Sequence, residues 1–173
     1  MGTITLITGG ARSGKSAHAL KLALPYQRKF FVATGEALDD EMTARIEFHR
    51  TTRPADFETV EEPIQVVAAL TKLAARADLV VLDCLTLWIS NLMYRHGTDD
   101  APVLAETDKL AFALKQAPFA SIVVTDEVGS GIVPTDHAES RRFRDLLGWT
   151  NQKVGAVADH VLLMVAGYPL KVK

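Results

Sequence analysis

Residues 9–16 read Gly-Gly-Ala-Arg-Ser-Gly-Lys-Ser, directly after the β-branched run Thr3-Ile4-Thr5-Leu6-Ile7-Thr8. The run predicts a buried strand that ends in a glycine loop. A helix is expected from Lys15 to Leu24, because Pro25 restricts the residue before it and cannot continue the ladder. Glycine, four residues, then Gly-Lys-Ser, set between a strand and a helix, is the phosphate-cradling pattern. Backbone N–H groups of Gly9, Gly10, Ala11, Arg12, Ser13 and Gly14 turn toward phosphate oxygens, and the helix N-terminus adds partial positive charge. Lys15 then reaches the β- and γ-phosphates and Ser16 ligates Mg²⁺. The competing reading is an ordinary strand-turn-helix junction.

Outward from this loop, strand and helix patterns alternate. Strands are predicted at Lys29–Ala33, Phe57–Val60, Leu79–Asp83, Ser121–Thr125, Val161–Val165 and Leu170–Val172. Between them, Asp39 and Asp40 open a helix through about Arg50, stopped by Arg53-Pro54, with Met42, Ile46 and His49 on one face. Pro63 suits the first position of a helix carrying Val67, Leu70 and Ala74. Further helices run from Thr86 to His96, from Asp99-Asp100-Ala101-Pro102 to about Gln116, and from about His137. Parallel strands joined by helical crossovers predict an α/β fold, a mostly parallel sheet with helices on both faces. With the glycine loop, this is a P-loop nucleoside triphosphate-binding fold, and 173 residues suit one domain over 1–173.

Composition agrees and narrows the partners. Aromatics are only 7% against 48% apolar residues, so the core must come from Ala, Val, Leu and Ile, the usual filling of a covered parallel sheet. With 19 basic and 21 acidic residues the net charge is −2, which leaves no global field to steer the chain to nucleic acid or anionic lipid. A polyanionic ligand must be met locally. The single cysteine, Cys84, cannot form an internal disulfide, and no Cys/His spacing suits zinc. The first residues lack a basic segment followed by an apolar run, and no apolar stretch approaches the ~18 residues that span a bilayer. A cytoplasmic protein without membrane insertion is the expectation.

Asp83 ends an apolar strand, where a carboxylate reaches Mg²⁺ across the carboxyl edge of the sheet, making it the partner of Ser16. Its alternative is a capping aspartate before Thr86. Arg12 has two readings, a phosphate contact or a solvent-facing loop residue. Asp126 and Glu127, at the end of another strand, are read as activating an acceptor hydroxyl, as helping to hold Mg²⁺, or as turn carboxylates. These residues define a Mg-nucleotide site and no particular reaction.

Several further segments accompany the loop in order: Leu38-Asp39-Asp40-Glu41-Met42 with Arg45-Ile46 and His49, Arg53-Pro54, Asn91-Leu92, and Glu127-Val128-Gly129-Ser130-Gly131-Ile132-Val133-Pro134. Together they give a sequence that resembles the bifunctional adenosylcobinamide kinase / adenosylcobinamide-phosphate guanylyltransferase family of cobalamin biosynthesis over almost the whole chain. The resemblance implies phosphorylation of adenosylcobinamide by a nucleoside triphosphate, ATP or GTP. Transfer of GMP from GTP to adenosylcobinamide phosphate then follows. It also implies a GMP-histidine intermediate on His49; family members often carry two adjacent histidines there, and Phe48 stands at the first position here. A neutral imidazole attacking the α-phosphorus splits one difficult transfer into two displacements. His49 and Lys15 are thus the catalytic candidates.

By the same resemblance, Thr34-Gly35-Glu36 matches a nucleotide-contacting segment, Arg50, Thr51, Thr52 and Arg53 match the stretch after the histidine, whose guanidiniums are read as phosphate clamps, and Glu61 matches a nucleotide-contacting carboxylate. Asp83 stands where some members have Glu. A homotrimer is implied; separately, a single domain of 173 residues has little room to enclose a corrinoid, so an intersubunit cleft is expected to hold it. Two other readings stand beside this one: a plain small-molecule P-loop kinase with a structural His49, and a nucleotide-binding regulatory module.

Overall fold

In the computed structural model the chain runs β1 (Ile4–Gly9), α1 (Lys15–Leu22), β2 (Lys29–Ala33), α2 (Asp40–Thr52), β3 (Phe57–Glu61), α3 (Val66–Leu73) and β4 (Leu79–Asp83). It continues through α4 (Leu85–His96), α5 (Ala101–Gln116), β5 (Ala120–Val124), α6 (Ala138–Val157), β6 (His160–Val165) and β7 (Tyr168–Lys171). The structure describes residues 1–37, 39–131 and 137–173; the side chains of Arg45, Phe48, His49 and Thr52 lie outside that description.

The strands form one seven-stranded sheet in the order β3-β2-β4-β5-β1-β6-β7. Every pairing is parallel except β6 with β7. Alternation along the strands gives the sheet two apolar faces. Ile4, Leu6, Phe30, Val32, Val80, Leu82 and Val123 pack under α3, α4, α5 and α6. Ile7, Phe31, Leu79, Val81, Ile122 and Val124 point the other way, against Ala19 and Ala23 around α1. The expected helices on both faces are therefore present, four on one side and α1 on the other.

Register brings the carboxyl ends of the strands level. Ala33 faces both Glu61 and Asp83, Asp83 faces Val124, and Val124 faces Ile7. Because β5 lies between β1 and β4, whatever follows Val124 emerges between the glycine loop and Asp83.

Local signals explain most helix ends. Asp39 caps α2 by accepting from Met42 N at 2.7 Å, with Asp40 and Glu41 in the first turn. One expectation fails: Pro63 does not open a helix, since α3 begins at Val66. The carbonyls of Pro63 and Ile64 are taken by Asn91 Nδ2 (3.1 Å) and Trp88 Nε1 (3.0 Å) of α4. Glu62 Oε1 accepts from the amides of Ile64 and Gln65, so this stretch turns before the helix starts.

Candidate active site

The glycine loop is shaped by its own backbone and by a neighbouring turn. Gly9 has φ +152°, and a Cβ there would lie 2.7 Å from Met164 O and 2.8 Å from Ser13 Oγ, so only glycine fits. Ser13 N donates to Gly10 O at 3.3 Å, and Gly167 N, from the β6–β7 turn, donates to Ser13 O at 3.0 Å. Gly14 precedes α1 with no side-chain cap, leaving the amides of the helix start to a ligand or to water.

Lys15 is nearly buried, with 10% of its side chain exposed. Its ammonium donates to Gly10 O at 2.7 Å and pairs with Asp126 Oδ1 at 2.6 Å. Ser16 Oγ donates to Asp83 Oδ2 at 2.8 Å. The sequence-derived pair of hydroxyl and carboxylate is therefore in contact, across the end of β5.

Above the carboxyl edge lies a cavity of about 560 Å³, the size of a small-molecule site. Residues 11–17 of the loop and first helical turn bound it, with Ala33, Asp83, Val124 and Asp126 at the strand ends. Toward the β3 edge it is lined by Met42, Ile46 and Arg50 of α2 and by Phe31, Arg53, Thr59 and Glu61. The phosphate loop thus shares one space with Gly35, Arg50, Arg53 and Glu61 of the expected nucleotide contacts.

Arg53 is the most structured member of that group. Its guanidinium lies over the Phe31 ring, 3.6 Å from the centroid, and Nη1 donates to Thr59 Oγ1 at 2.5 Å. Burial pulls its pKa below the ordinary arginine value, while Asp83 and Glu61 act in the opposite direction. Arg50 reaches Glu61 at 3.9 Å with both side chains well exposed, a pair that contributes little by itself.

Other expected site residues sit differently. Thr34 is fully buried: its hydroxyl accepts from Cys84 N at 2.9 Å and donates to Cys84 O at 2.7 Å, and its carbonyl accepts from Asn91 Nδ2 at 2.8 Å. It holds the ends of β2 and β4 together and does not line the cavity. Gly35 lines the cavity beside Ile46 and Leu87; Glu36 is exposed and outside it. Thr51 turns its hydroxyl back to Glu47 O at 3.0 Å and is likewise outside the lining. His49 and Thr52 belong to α2, but their side chains lie outside the described residues, as does the 132–134 end of the glycine-rich loop.

The two carboxylates after β5 separate clearly. Glu127 accepts from Gly129 N at 3.0 Å and Ser130 N at 2.9 Å, and these bonds, the Ser130 amide foremost, hold its carboxyl below the usual range. It shapes its own loop. Asp126 lines the cavity and carries the bond to Lys15. Burial, with Asp83 nearby, pushes the Cys84 thiol up to about 12, so no thiolate is available there. Sequence reading did not find the Lys15–Asp126 pair or the Phe31–Arg53–Thr59 arrangement. Both join residues distant along the chain, and no local pattern marks them.

Residues 5–172 match the family described as CobU, cobinamide kinase / cobinamide phosphate guanyltransferase. The bifunctional adenosylcobalamin biosynthesis protein CobU of Escherichia coli K12 is 38% identical over 97% of this chain and 98% of its own length. The protein CobP of the same description from Pseudomonas aeruginosa is 40% identical over 97% of this chain and 96% of its own.

Among solved structures, the RadB recombinase is similar with a TM-score of 0.55 at 18% identity, over 93% of this chain and 73% of that one. An ATPase of a bacterial type III secretion system reaches 0.57 at 13% identity, over 94% of this chain and 51% of that one. At such identities these two show the shared fold alone. The near-complete sequence match decides the assignment: this chain belongs to the cobinamide kinase / cobinamide phosphate guanyltransferase family, bifunctional enzymes that join both activities in one polypeptide.

Proposed function

We propose that this chain phosphorylates adenosylcobinamide with ATP or GTP and then transfers GMP from GTP to the product through a GMP adduct on His49, giving adenosyl-GDP-cobinamide. The observation that carries this reading is the single cavity joining Lys15 and Ser16 to Arg50, Arg53 and Glu61. Two reactions on nucleotides need one place for a triphosphate and a nucleophile within reach of its α-phosphorus.

In the kinase step, the loop amides and Lys15 bind the triphosphate and offset charge on the transferring group, while the cobinamide hydroxyl attacks the γ-phosphorus, the bridging β–γ P–O bond breaks, the nucleoside diphosphate leaves and the hydroxyl proton is lost to solvent. In the second step, the His49 imidazole attacks the α-phosphorus of GTP, forming the P–N bond as pyrophosphate leaves. An oxygen of cobinamide phosphate then displaces the imidazole. His49 lies in α2 between Ile46 and Arg50, both of which line the cavity, and the family resemblance supports this assignment. Arg50 and Arg53 serve as phosphate clamps, and Glu61 as a nucleotide contact.

The Ser16 hydroxyl and Asp83 carboxylate, 2.8 Å apart, are the hard oxygen donors that Mg²⁺ prefers, so these residues fit that ion. When bound, Mg²⁺ neutralises phosphate charge; Ser16 and Asp83 would hold it. A cavity of about 560 Å³ suits a nucleotide and not a corrinoid as well, which supports an intersubunit cleft for the corrinoid; the homotrimer rests on the family resemblance. The exposed Tyr168, Leu170 and Val172 offer an apolar strip for assembly, which light scattering measures directly. A cytoplasmic enzyme fits the lone, unreactive Cys84. No helix among the described residues is long and apolar enough to cross a membrane.

The test is incubation with Mg²⁺ and GTP labelled at the α-phosphate. Acid-labile label on the protein, lost in His49→Ala, is the expected result. Label retained equally by the variant, or absent from both proteins, overturns the covalent step.

A further inference from the structure

Lys15 is the one residue on which every reading of the glycine loop depends, and in this chain its ammonium is already engaged by an anion. Asp126 Oδ1 lies 2.6 Å away, and Gly10 O accepts at 2.7 Å. The carboxylate is not a chance surface partner. Asp126 follows β5, which emerges between β1 and β4, so the topology delivers it to the mouth of the loop. Its backbone is fixed on both sides: Asp126 N donates to Thr86 Oγ1 at 2.9 Å, and Asp126 O accepts from Asn151 Nδ2 at 3.1 Å. Asn151 is oriented in turn by Thr125 Oγ1, which donates to its Oδ1 at 2.7 Å. The next residue is tied to the loop itself, since Glu127 N donates to Gly9 O at 3.0 Å.

We propose that Asp126 is an intramolecular competitor of nucleotide phosphates for Lys15, a residue that sets how tightly this chain holds triphosphates. This rests on the reading of the Lys15 loop as the nucleotide site. A phosphate oxygen that takes the ammonium must displace the carboxylate, and the displaced carboxylate stays in the same cavity as Asp83. Two acidic groups in the cavity that Lys15 serves oppose a polyanion, and nucleotide binding bears that cost. The device suits a site through which two successive nucleotides pass, because spent nucleotide must leave before the second reaction begins. Glu127 cannot take this role; its oxygens accept from Gly129 and Ser130.

Asp126→Asn keeps the shape and removes the charge. GTP binding to the whole protein is measured by calorimetry in wild type, Asp126→Asn and Asp126→Ala, with ligand-free melting temperatures recorded in parallel. Tightening of GTP binding on the order of tenfold is expected in the Asn variant, in the same direction in the Ala variant. The ligand-free melting temperature falls in both, so the GTP-induced rise widens. A residue that merely supports the fold would weaken GTP binding when replaced, so the sign of the change decides. Unchanged or weaker binding in both variants overturns the proposal while leaving the nucleotide site intact. Failure of wild type and variants alike to bind GTP overturns the nucleotide reading itself, and the proposal with it.

Discussion

Asn91 is a buried polar residue of α4 whose amide ties together the two chain segments that frame the cavity. Nδ2 donates to Thr34 O at 2.8 Å and to Pro63 O at 3.1 Å. Thr34 leads from β2 toward α2, and Pro63 turns the chain from β3 toward α3. Replacing Asn91 with Ala removes both bonds and leaves two carbonyls without that donor in a site that is only 8% exposed. Each bond contributes about 1 kcal/mol net, and an orphaned buried acceptor costs somewhat more, so about 2.5 kcal/mol is expected. For 173 residues, at about 2.1 cal/mol/K each, the unfolding entropy is on the order of 0.36 kcal/mol/K, so the melting temperature should fall by about 7 °C. Differential scanning calorimetry measures this directly. Tyr94→Ala serves as the control on the same helix, because Tyr94 is 85% exposed and should shift the transition by no more than about 1.4 °C. An Asn91→Ala melting temperature within about 2 °C of wild type would show that the bridge contributes little and that something else sets the Thr34 segment.

Two further expectations follow from the loops. Gly9→Ala forces a Cβ to 2.7 Å from Met164 O at a φ of +152°, so about 3 kcal/mol is lost to strain and crowding; thermal unfolding and GTP binding should both be impaired, and an unaffected protein would refute the loop geometry. Glu127 has its carboxyl held below the ordinary value by the Ser130 and Gly129 amides. A depressed folded value means the unfolded chain binds the proton more readily, so the contribution is present above the ordinary carboxylate range and lost as pH falls through the folded value. The melting-temperature difference between wild type and Glu127→Gln should therefore be steady near neutral pH and shrink in acid; a difference independent of pH would exclude the ionised carboxylate as its source.

Much of this protein is legible along the chain because its signals are local. The strand, glycines, Lys15 and Ser16 lie within a few residues of one another, and both the turn and the helix start they encode form from neighbouring backbone. The same holds for Asp39 as a cap of α2, and for the apolar runs that became β2, β4 and β5. Asp83 is legible because a carboxylate ending an apolar strand is itself a local pattern, and its contact with Ser16 follows once the strands are parallel. Where local logic failed, a distant group had intervened: Pro63 suits a helix start, but Asn91 and Trp88 claim the carbonyls that helix would need.

The α/β class, the phosphate loop and, through the extended resemblance, the family are thus written along the chain. Strand order was decided only in three dimensions. Placing β5 between β1 and β4 brings Asp126 to Lys15, and adding β2 and β3 beyond β4 brings Phe31, Arg53, Thr59 and Glu61 into the same cavity. Adjacency in a parallel sheet depends on which apolar faces bury best together, a property of the whole core that no window of residues contains.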